Sequence, residues 1–383
     1  MKIKELINKH YFFSIILTVL IFGLGGGIVG GIVGQAYLVD ISYNLAPFSN
    51  LNFSTGKYKD QGIIISNAKN VIVQQDAKID ETVNSVGGSL AGIYRKQKTA
   101  QPGNIFALEN FYKISDSVGQ GFIITSDGWI ITRWALDKTY NDYAVITTDK
   151  KIYPIDKAVA DNLTKFYFIH VPARDLSVKK FAANQDIKRG GLVVAVNWQG
   201  LSWVSSAVGF SENSNLIQSS DNFSKKLVLN EKIPAEFKNS VIFNLAGDVL
   251  GIVDSQGAIE LASRLNGAIK SLFKNQAVIR PGLGINYLDL TLLAESGNQN
   301  SYWRKGALIY KDQKGAAARK GGAGEKAGLR EGDIIVAVNN VGLDQNNDLA
   351  DIIQNHLAGD AINLTIFSQG QEKQAATVLG ELK

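Results

Sequence analysis

The sequence predicts a mainly β fold that follows an amino-terminal membrane helix and precedes a smaller α+β domain. Three observations predict it: an uncharged apolar run near the start, short runs rich in Val, Ile, Phe and Tyr through the middle, and mixed helical and strand patterns near the end. A chain of 383 residues is too long for one ordinary core. We therefore predict five parts, which are a tail (1–10), a membrane span (11–39), a stalk (40–75), a β domain (76–277) and an α+β domain (278–383).

The amino-terminal run is long enough to cross a bilayer. Residues 11–39 form a stretch of 29 residues without a charge, and a helix of that length rises about 43 Å, more than the roughly 30 Å hydrocarbon core. Lys2, Lys4 and Lys9 precede the run and Asp40 follows it, so the positive-inside rule places the first ten residues in the cytoplasm. We expect a single-pass protein of a bacterial cell membrane whose later domains are extracytoplasmic.

Two features of this run have alternative interpretations. Gly34 and Ala36 are spaced as in a signal-peptide cleavage site, but the apolar run is much longer than the usual stretch of about 7–15 residues, which favours an uncleaved anchor. Gly-x-x-x-Gly spacings between Gly23 and Gly34 are compatible with close pairing of two such helices. The same spacings also arise by chance in any glycine-rich span.

Composition excludes several classes of function. The net charge of +5 comes from 40 basic and 35 acidic residues that are interspersed, so no basic stripe for a nucleic-acid backbone is present. The absence of cysteine excludes disulfides, thiolate metal sites and cysteine nucleophiles. His10, His170 and His356 are too far apart in the sequence for a local zinc motif. We therefore predict no metal and no cofactor.

The middle of the chain reads as short strands separated by polar or glycine breaks, which is typical of a β-sandwich or a pair of barrels. Residues 126–128, Ser-Asp-Gly, predict a tight hairpin between two apolar runs. Residues 258–275 carry a helical apolar face and predict a connecting helix. Within the stalk, only residues 62–66 suggest a short strand.

The segment GQGFIITSDGWIITRWAL (119–136) resembles the HtrA/Deg pattern in which two strands around an Asp-Gly turn end in Thr-Asn-x-His. Ala135 stands at the position of that catalytic histidine. Residues 159–171, VADNLTKFYFIHV, resemble the strand that carries the catalytic aspartate, and Lys165 stands at the position of that aspartate. Residues 243–252 resemble the strand pair after the nucleophile, and counting back from them places Lys238 at the serine.

The resemblance covers roughly residues 75–383 and implies a trypsin-like pair of six-stranded barrels with a cleft between them, followed by a PDZ domain. Catalysis does not carry over, because Ala135 cannot accept a proton, Lys165 would repel an imidazolium, and Lys238 has no hydroxyl. Glu236 and Phe237 also stand in the oxyanion turn, which needs the conformational freedom of glycine. We therefore expect a pseudoprotease without catalytic residues.

The alternative is an active serine endopeptidase of envelope protein quality control that uses a non-standard site. Ser240 with Lys238 or Lys165 as a base would be such a site, since a desolvated lysine can activate a hydroxyl. His170 lies late in a predicted strand and is interpreted as an ordinary strand residue.

The carboxy-terminal part resembles a PDZ domain of the kind that follows HtrA protease domains. Residues 324–343, GEKAGLREGDIIVAVNNVGL, carry its helix, turn and strand pattern, residues 346–357 predict a helix, and Gln369-Gly370 predicts a closing hairpin. Residues 280–285, RPGLGI, resemble the loop that receives a peptide's terminal carboxylate. The predicted peptide-binding residues, whose alternative role is in the domain core, are Gly282, Leu283, Gly284, Ile285, Leu349 and Ile353.

The leading functional hypothesis is a scaffolding, chaperone-like or regulatory protein that binds carboxy-terminal or unfolded peptide segments outside the cell membrane. Its expected partners are such peptides, the membrane itself, and active members of the family. The resemblance also implies a homotrimer held by aromatic residues, with Phe106, Phe111 and Tyr112 as candidates. A third hypothesis is a structural envelope protein whose PDZ groove is closed.

Overall fold

The structure, a computed structural model, divides the chain into two compact units, residues 1–66 and 67–383. It describes residues 17–23, 26–27, 68–97, 107–136, 140–211, 215–294, 305–313 and 315–382. In the first unit, residues 17–23 and 26–27 are helical. None of the described helices has both the length and the apolar character that a membrane crossing needs. Most of the predicted span and the predicted strand at 62–66 lie outside the described residues, so the anchor stays a prediction.

The second unit begins with a helix where the sequence had predicted the end of a stalk. Helix α1 (Ala68–Gly87) covers 20 residues. Ile79, Val83 and Val86 lie on one face of it, at the spacing of an amphipathic helix, and pack against the main core. Thr82 donates a hydrogen bond to the carbonyl of Leu245, 2.9 Å away, and so ties the helix to the second barrel.

The first sheet has seven antiparallel strands in the order β5-β4-β1-β2-β3-β7-β6. The sequence predicted six strands closed into a barrel for this half, whereas the sheet has seven strands, with β5 and β6 at its two edges. Strand β5 has only three residues and is largely exposed, so it offers little backbone or apolar surface on which to close the sheet. The strands are β1 (Leu90–Arg95), β2 (Gly119–Ile123), β3 (Trp129–Thr132), β4 (Tyr143–Thr147), β5 (Ile152–Pro154), β6 (Lys157–Asp161) and β7 (Phe166–His170).

The hairpin between β2 and β3 confirms the turn predicted at 126–128. Gly121 pairs with Thr132 and Ile123 with Ile130. Gly128 has a φ of +112°, and a β-carbon there would lie 2.0 Å from the carbonyl oxygen of Val171. Only glycine accommodates both that backbone angle and that close approach.

The second sheet is a closed barrel with the strand order β11-β14-β13-β12-β8-β9. The chain leaves the barrel once, for the two-residue strand β10, which pairs with the carboxy-terminal domain. The strands of this part are β8 (Leu192–Val196), β9 (Ser202–Ser211), β10 (Gln218–Ser219), β11 (Lys226–Leu229), β12 (Val241–Asn244), β13 (Val249–Val253) and β14 (Ile259–Leu261).

The connecting helix starts later than the sequence predicted. Helix α2 spans Leu265–Asn275, whereas Ile259 and Leu261 belong to β14. These two side chains alternate with the half-buried Glu260, a period of two that fits a strand, and β14 closes the barrel between β13 and β11. A shared core between the two sheets includes Phe122 and Phe168 from the first and Phe243 from the second.

The carboxy-terminal domain is an α+β unit in which β16, β17, β18, β20 and β21 follow one another across one sheet and β10 extends its edge. Residues 369–370 form the predicted hairpin turn, with φ of +50° and +83°. The elements are β15 (Pro281–Gly282), β16 (Asn286–Asp289), β17 (Ala307–Ile309), α3 (Ala323–Lys326), β18 (Ile334–Val338), β19 (Val341–Gly342), α4 (Leu349–Gln354), β20 (Ala361–Ser368), β21 (Gln371–Val378) and β22 (Gly380–Glu381).

Helix α4 is shorter than the predicted 346–357. The Asp348 side chain caps it by accepting a hydrogen bond from the amide of Ala350 at 2.7 Å. The preceding residues form a turn in which Asp344 accepts hydrogen bonds from the amides of Asn346 and Asn347. Local side-chain bonds of this kind compete with helix formation, so the helix begins only after the cap.

The candidate trimerisation residues differ in exposure. Phe111 is 58% exposed, whereas Tyr112 packs edge-on against Tyr94, with ring centroids 5.5 Å apart. Phe106 lies outside the described residues. Of the three, Phe111 is therefore the one with a free apolar surface among the described residues, and trimerisation stays a prediction.

Candidate functional site

Ala135, the predicted position of the catalytic histidine, lies just after β3. Ala135 is exposed and offers only a methyl group. Two residues earlier, the Arg133 guanidinium donates to the carbonyl of Thr164, in the turn before β7, and lies 3.4 Å from the Asp254 carboxylate of the second barrel. It also lies over the Phe166 ring, 4.7 Å from the centroid. A permanent cation thus links the two sheets beside the position where an imidazole would stand.

Lys165, the predicted position of the catalytic aspartate, lies in the turn between β6 and β7. Lys165 has a φ of +61°, its side chain is exposed, and its amide donates to the carbonyl of Asp161 at 2.8 Å. Its ammonium group has no hydrogen-bond or ion-pair partner among the described residues. His170 lies on β7, where its Nδ1 is 2.7 Å from Asp156 and its ring stacks against Trp129.

The turn at the nucleophile position is closed on itself. Ala235–Phe237 forms one turn of 3₁₀-helix. The amide of Phe237 donates to the carbonyl of Pro234 at 3.0 Å, and the amide of Lys238 donates to the carbonyl of Ala235 at 3.2 Å. An oxyanion hole needs amides that converge on an empty point. These two amides are already bonded within the turn.

Ser240, the serine of the alternative hypothesis, is fully buried. Its hydroxyl donates to the carbonyl of Phe237 at 2.5 Å. Neither Lys165 nor Lys238 makes a side-chain hydrogen bond to it, and both lysines are exposed. The structure therefore does not bring the serine and a lysine together as a dyad within the part that it describes.

Gln120 joins the two halves beside this turn, a role that sequence reasoning missed. Its side-chain carbonyl accepts from the amide of Trp198 and its side-chain nitrogen donates to the carbonyl of Asn239, both at 2.5 Å. The Trp198 indole in turn donates to the Tyr94 hydroxyl at 2.7 Å. Gln120 stands between Gly119 and Gly121, and its long polar side chain between two glycines was the available signal.

The loop at residues 280–285, the predicted carboxylate-binding loop, has its backbone amides turned toward residues 220 and 221. The amides of Leu283 and Gly284 both donate to the same side-chain oxygen of Asp221, at 3.0 and 2.9 Å. The amide of Ile285 donates to the Ser220 hydroxyl at 3.1 Å. Gly284 has a φ of +74°, which lets successive amides point to one side. The loop is thus an anion nest, and the anion in it belongs to the chain itself.

A strand of the chain lies beside this loop in the manner of a bound peptide. Strand β10 runs antiparallel to β16, with Gln218 opposite Tyr287 and Ser219 opposite Asn286. The next amide, that of Ser220, donates to the carbonyl of Ile285 at 3.0 Å. This arrangement is strand addition at a sheet edge, the mode by which PDZ domains bind peptides.

Arg319 completes the carboxylate site, although no sequence pattern pointed to it. Its guanidinium lies 2.8 Å from the second carboxylate oxygen of Asp221. A β-carbon at Gly282 would lie 2.8 Å from the same guanidinium, so the loop is built closely around it. Arg280, which lies within the loop sequence, is instead bound to Asp161 at 2.5 and 3.1 Å.

The predicted pocket residues Leu283, Ile285, Leu349 and Ile353 are all buried in the core of the carboxy-terminal domain. Their role as a pocket wall stays a prediction. Between them and β10, the Tyr287 hydroxyl donates to Asp348 at 2.9 Å. Burial, followed by the nearby Asp348 charge, raises the pKa of Tyr287 well above its ordinary value, so this hydroxyl keeps its proton.

The seven-stranded sheet, the closed barrel and the carboxy-terminal unit define a trypsin-like protease fold followed by a PDZ domain. A protein-family profile described as "PDZ domain" matches residues 316–366. The chain is 26% identical over 280 residues to a "Probable periplasmic serine endoprotease DegP-like" of Hahella chejuensis, covering 70% of this chain and 58% of the relative. A protein with the same description from Rhizobium meliloti is 27% identical over 277 residues, covering 69% and 53%.

The structure titled "HtrA-type protease AlgW with tripeptide" is similar to this one, with a TM-score of 0.51 at 16% identity, covering 80% of this chain and 97% of that chain. The chain thus matches a PDZ domain at residues 316–366, is similar in sequence to DegP-like serine endoproteases, and is similar in fold to an HtrA-type protease. It spans a little over half the length of the curated relatives that it matches.

Proposed function

We propose that this chain is a membrane-anchored pseudoprotease that binds peptide carboxy-termini through its PDZ domain, in a scaffolding, chaperone-like or regulatory role. The observation that carries the proposal is the carboxylate held by two loop amides and a guanidinium beside an added strand. The terminal carboxylate of a peptide has two oxygens, as the Asp221 side chain has, and can bind the same amides and guanidinium. The peptide backbone can pair with β16 as β10 does. The periplasmic descriptions of the relatives and the predicted anchor together favour a location outside the cytoplasmic membrane.

The absence of catalysis is part of the same proposal. Ala135, Lys165 and Lys238 supply no base, no orienting carboxylate and no nucleophile, and removal of triad members costs about four to six powers of ten in turnover. Two amides of the nucleophile turn are bonded internally. The cleft side of the molecule would then hold a chain without cutting it, and any cleavage of clients would fall to active members of the family.

We expect no cleavage of fluorescent casein by the full chain above the buffer rate, with an active HtrA-type protease as the positive control. The triple variant Ala135→His, Lys165→Asp, Lys238→Ser should also be inactive, because Arg133 still spans the sheets and the amides of the turn stay bonded. Cleavage by the parent that disappears in Ser240→Ala would show that the enzyme alternative is correct.

Peptide binding is tested separately, by fluorescence anisotropy of a labelled peptide with a free terminal carboxylate and of the same peptide with a terminal amide. Binding by the full chain should require the free carboxylate, because the nest and Arg319 recognise an anion. Equal binding of the two peptides would mean that the loop is not the binding site.

A further inference from the structure

The part of the chain that lies in the PDZ groove has an unusual composition for a packed segment. Residues 218–221 are Gln-Ser-Ser-Asp, all polar, and Gln218, Ser220 and Asp221 are buried. The segment therefore contributes no apolar side chain to the PDZ domain, and its buried side chains are hydrogen-bonding groups.

The register of the segment matches that of a peptide end. The Ser220 amide donates to the Ile285 carbonyl, and the Ser220 hydroxyl accepts from the Ile285 amide. The last backbone unit of a peptide that ended at this position would lie against the loop. Its terminal carboxylate would then reach the amides of Leu283 and Gly284 that Asp221 now occupies.

We propose that residues 218–221 are an internal ligand of the PDZ groove, which a peptide with a free terminal carboxylate must displace, and that Arg319 is the side chain that binds that carboxylate. The inference rests on the proposed peptide-binding function and adds its regulation. An external peptide can replace the hydrogen bonds of the segment one for one, so the exchange leaves no buried amide unpaired.

Two residues that follow the segment attach it to the PDZ domain, which explains why the segment occupies the groove in the structure. Just beyond the segment, the Lys225 ammonium donates to the carbonyl of Gln345 at 2.9 Å, and Ser224 lies 3.4 Å from Asp348 at the start of α4. Both side chains are buried. They hold residues 218–221 next to the groove, at an effective concentration on the order of millimolar. A free peptide at micromolar concentration must therefore compete with a segment that is present at a much higher effective concentration.

The first test compares the parent with the opened variant Ser220→Ala/Asp221→Ala, both as full chains. The probe is fluorescein-labelled Asn-Leu-Ile-Gln-Ser-Ser, the sequence of residues 215–220, with a free carboxylate. If the segment fills the groove nine-tenths of the time, the opened variant binds about tenfold more tightly. Glu231→Ala, which removes an exposed charge elsewhere, should behave as the parent. Arg319→Gln in the opened variant should weaken binding several-fold.

The second test locks the segment in place and uses the absence of native cysteine. Ser219 and Asn286 lie directly opposite each other, at a spacing of about 4.5–5.5 Å that a disulfide can bridge. The variant Ser219→Cys/Asn286→Cys should crosslink under mild oxidation and lose peptide binding, and a reductant should restore the parental affinity. Failure to crosslink would show that the segment does not occupy the groove.

The remaining outcomes separate the two proposals. Equal affinity of the parent and the opened variant would leave peptide binding standing and would overturn the internal ligand. A readily formed crosslink together with no peptide binding by the opened variant would overturn both. In that case residues 218–221 are a permanent strand of the domain, and the groove is closed.

Discussion

Replacing Asp161 with Asn should lower the free energy of unfolding by about 3–5 kcal/mol at pH 7, because it leaves Arg280 charged and unpaired in a buried site. Both side chains are almost fully buried, and the guanidinium meets the carboxylate at 2.5 and 3.1 Å. The pair joins the first sheet to the residue that precedes β15. Urea unfolding of parent and variant measures the difference, with an unchanged slope indicating an effect on stability alone.

Two further variants test the cause of this loss. Asp161→Leu/Arg280→Met removes both charges and should recover most of the stability, since a buried ion pair replaced by apolar groups of similar volume is often neutral. Asp149→Asn breaks an exposed pair with Lys151 at 2.8 Å and should change stability little. A loss in Asp161→Asn no larger than in Asp149→Asn would mean that the buried pair is not formed.

The same contact predicts a pH dependence. Burial by itself would raise the pKa of Asp161, but the hydrogen bonds and charge of Arg280, with Thr164 and the amide of Leu163, outweigh it and hold the pKa below its ordinary value. The stabilisation is therefore complete above the unfolded pKa of about 3.9 and is lost as the pH falls toward the folded value. The stability difference between parent and Asp161→Asn should be constant from pH 7 to about 5 and should shrink below about pH 4.

Replacing Gly267 with Ala should destabilise the chain by about 3 kcal/mol or more, the upper end of the cost of overpacking. Gly267 lies in helix α2, and a β-carbon there would come within 1.9 Å of the Gln354 carbonyl oxygen and 3.3 Å of the Asn355 α-carbon. These are backbone atoms at the end of α4, which cannot turn aside as a flexible side chain can. The two helices would have to separate, and the PDZ domain would move away from the barrel.

Separation would also weaken a neighbouring ion pair. Arg264, just before α2, contacts Asp351 of α4 at 2.9 Å and Glu260 at 3.1 Å. Thermal unfolding should show a clear fall in midpoint for Gly267→Ala. Gly87→Ala is the matched control, because Gly87 is also helical but has nothing within 4 Å of its would-be β-carbon. The same midpoint in both variants would mean that α2 and α4 do not touch.

Local patterns predicted the parts of the fold that depend on neighbours in sequence. The hairpins at 126–128 and at 369–370 were predicted because Asp-Gly and Gln-Gly turns lie between predicted strands, and both are present. Helix α1 was missed because polar residues surround the three apolar residues of its packed face. Residues 259–261 were assigned to a helix because Leu261 continues the i, i+4 spacing of Leu265 and Ile269, whereas their pairing with β13 makes them a strand.

Some features of the candidate site were also predictable from the sequence, and others were not. The groups offered at positions 135, 165 and 238 follow from residue identity alone, since no fold gives alanine a base or lysine a hydroxyl. The glycines of the carboxylate loop were also readable, because the backbone angle at Gly284 requires glycine. Strand β10 was not predicted, because Gln-Ser has no apolar pattern and is extended only through its pairing with β16.

The sequence by itself determined which residue types stand at positions 135, 165 and 238 and that glycines flank Leu283. Only the tertiary structure decided that Asp221 occupies the anion nest and that Asp161 holds Arg280. These partners stand 62 and 119 positions apart along the chain, measured to Leu283 and Arg280. The physical reason is that a buried charge is stabilised by whichever groups the fold brings within hydrogen-bond distance, and no local pattern encodes that choice.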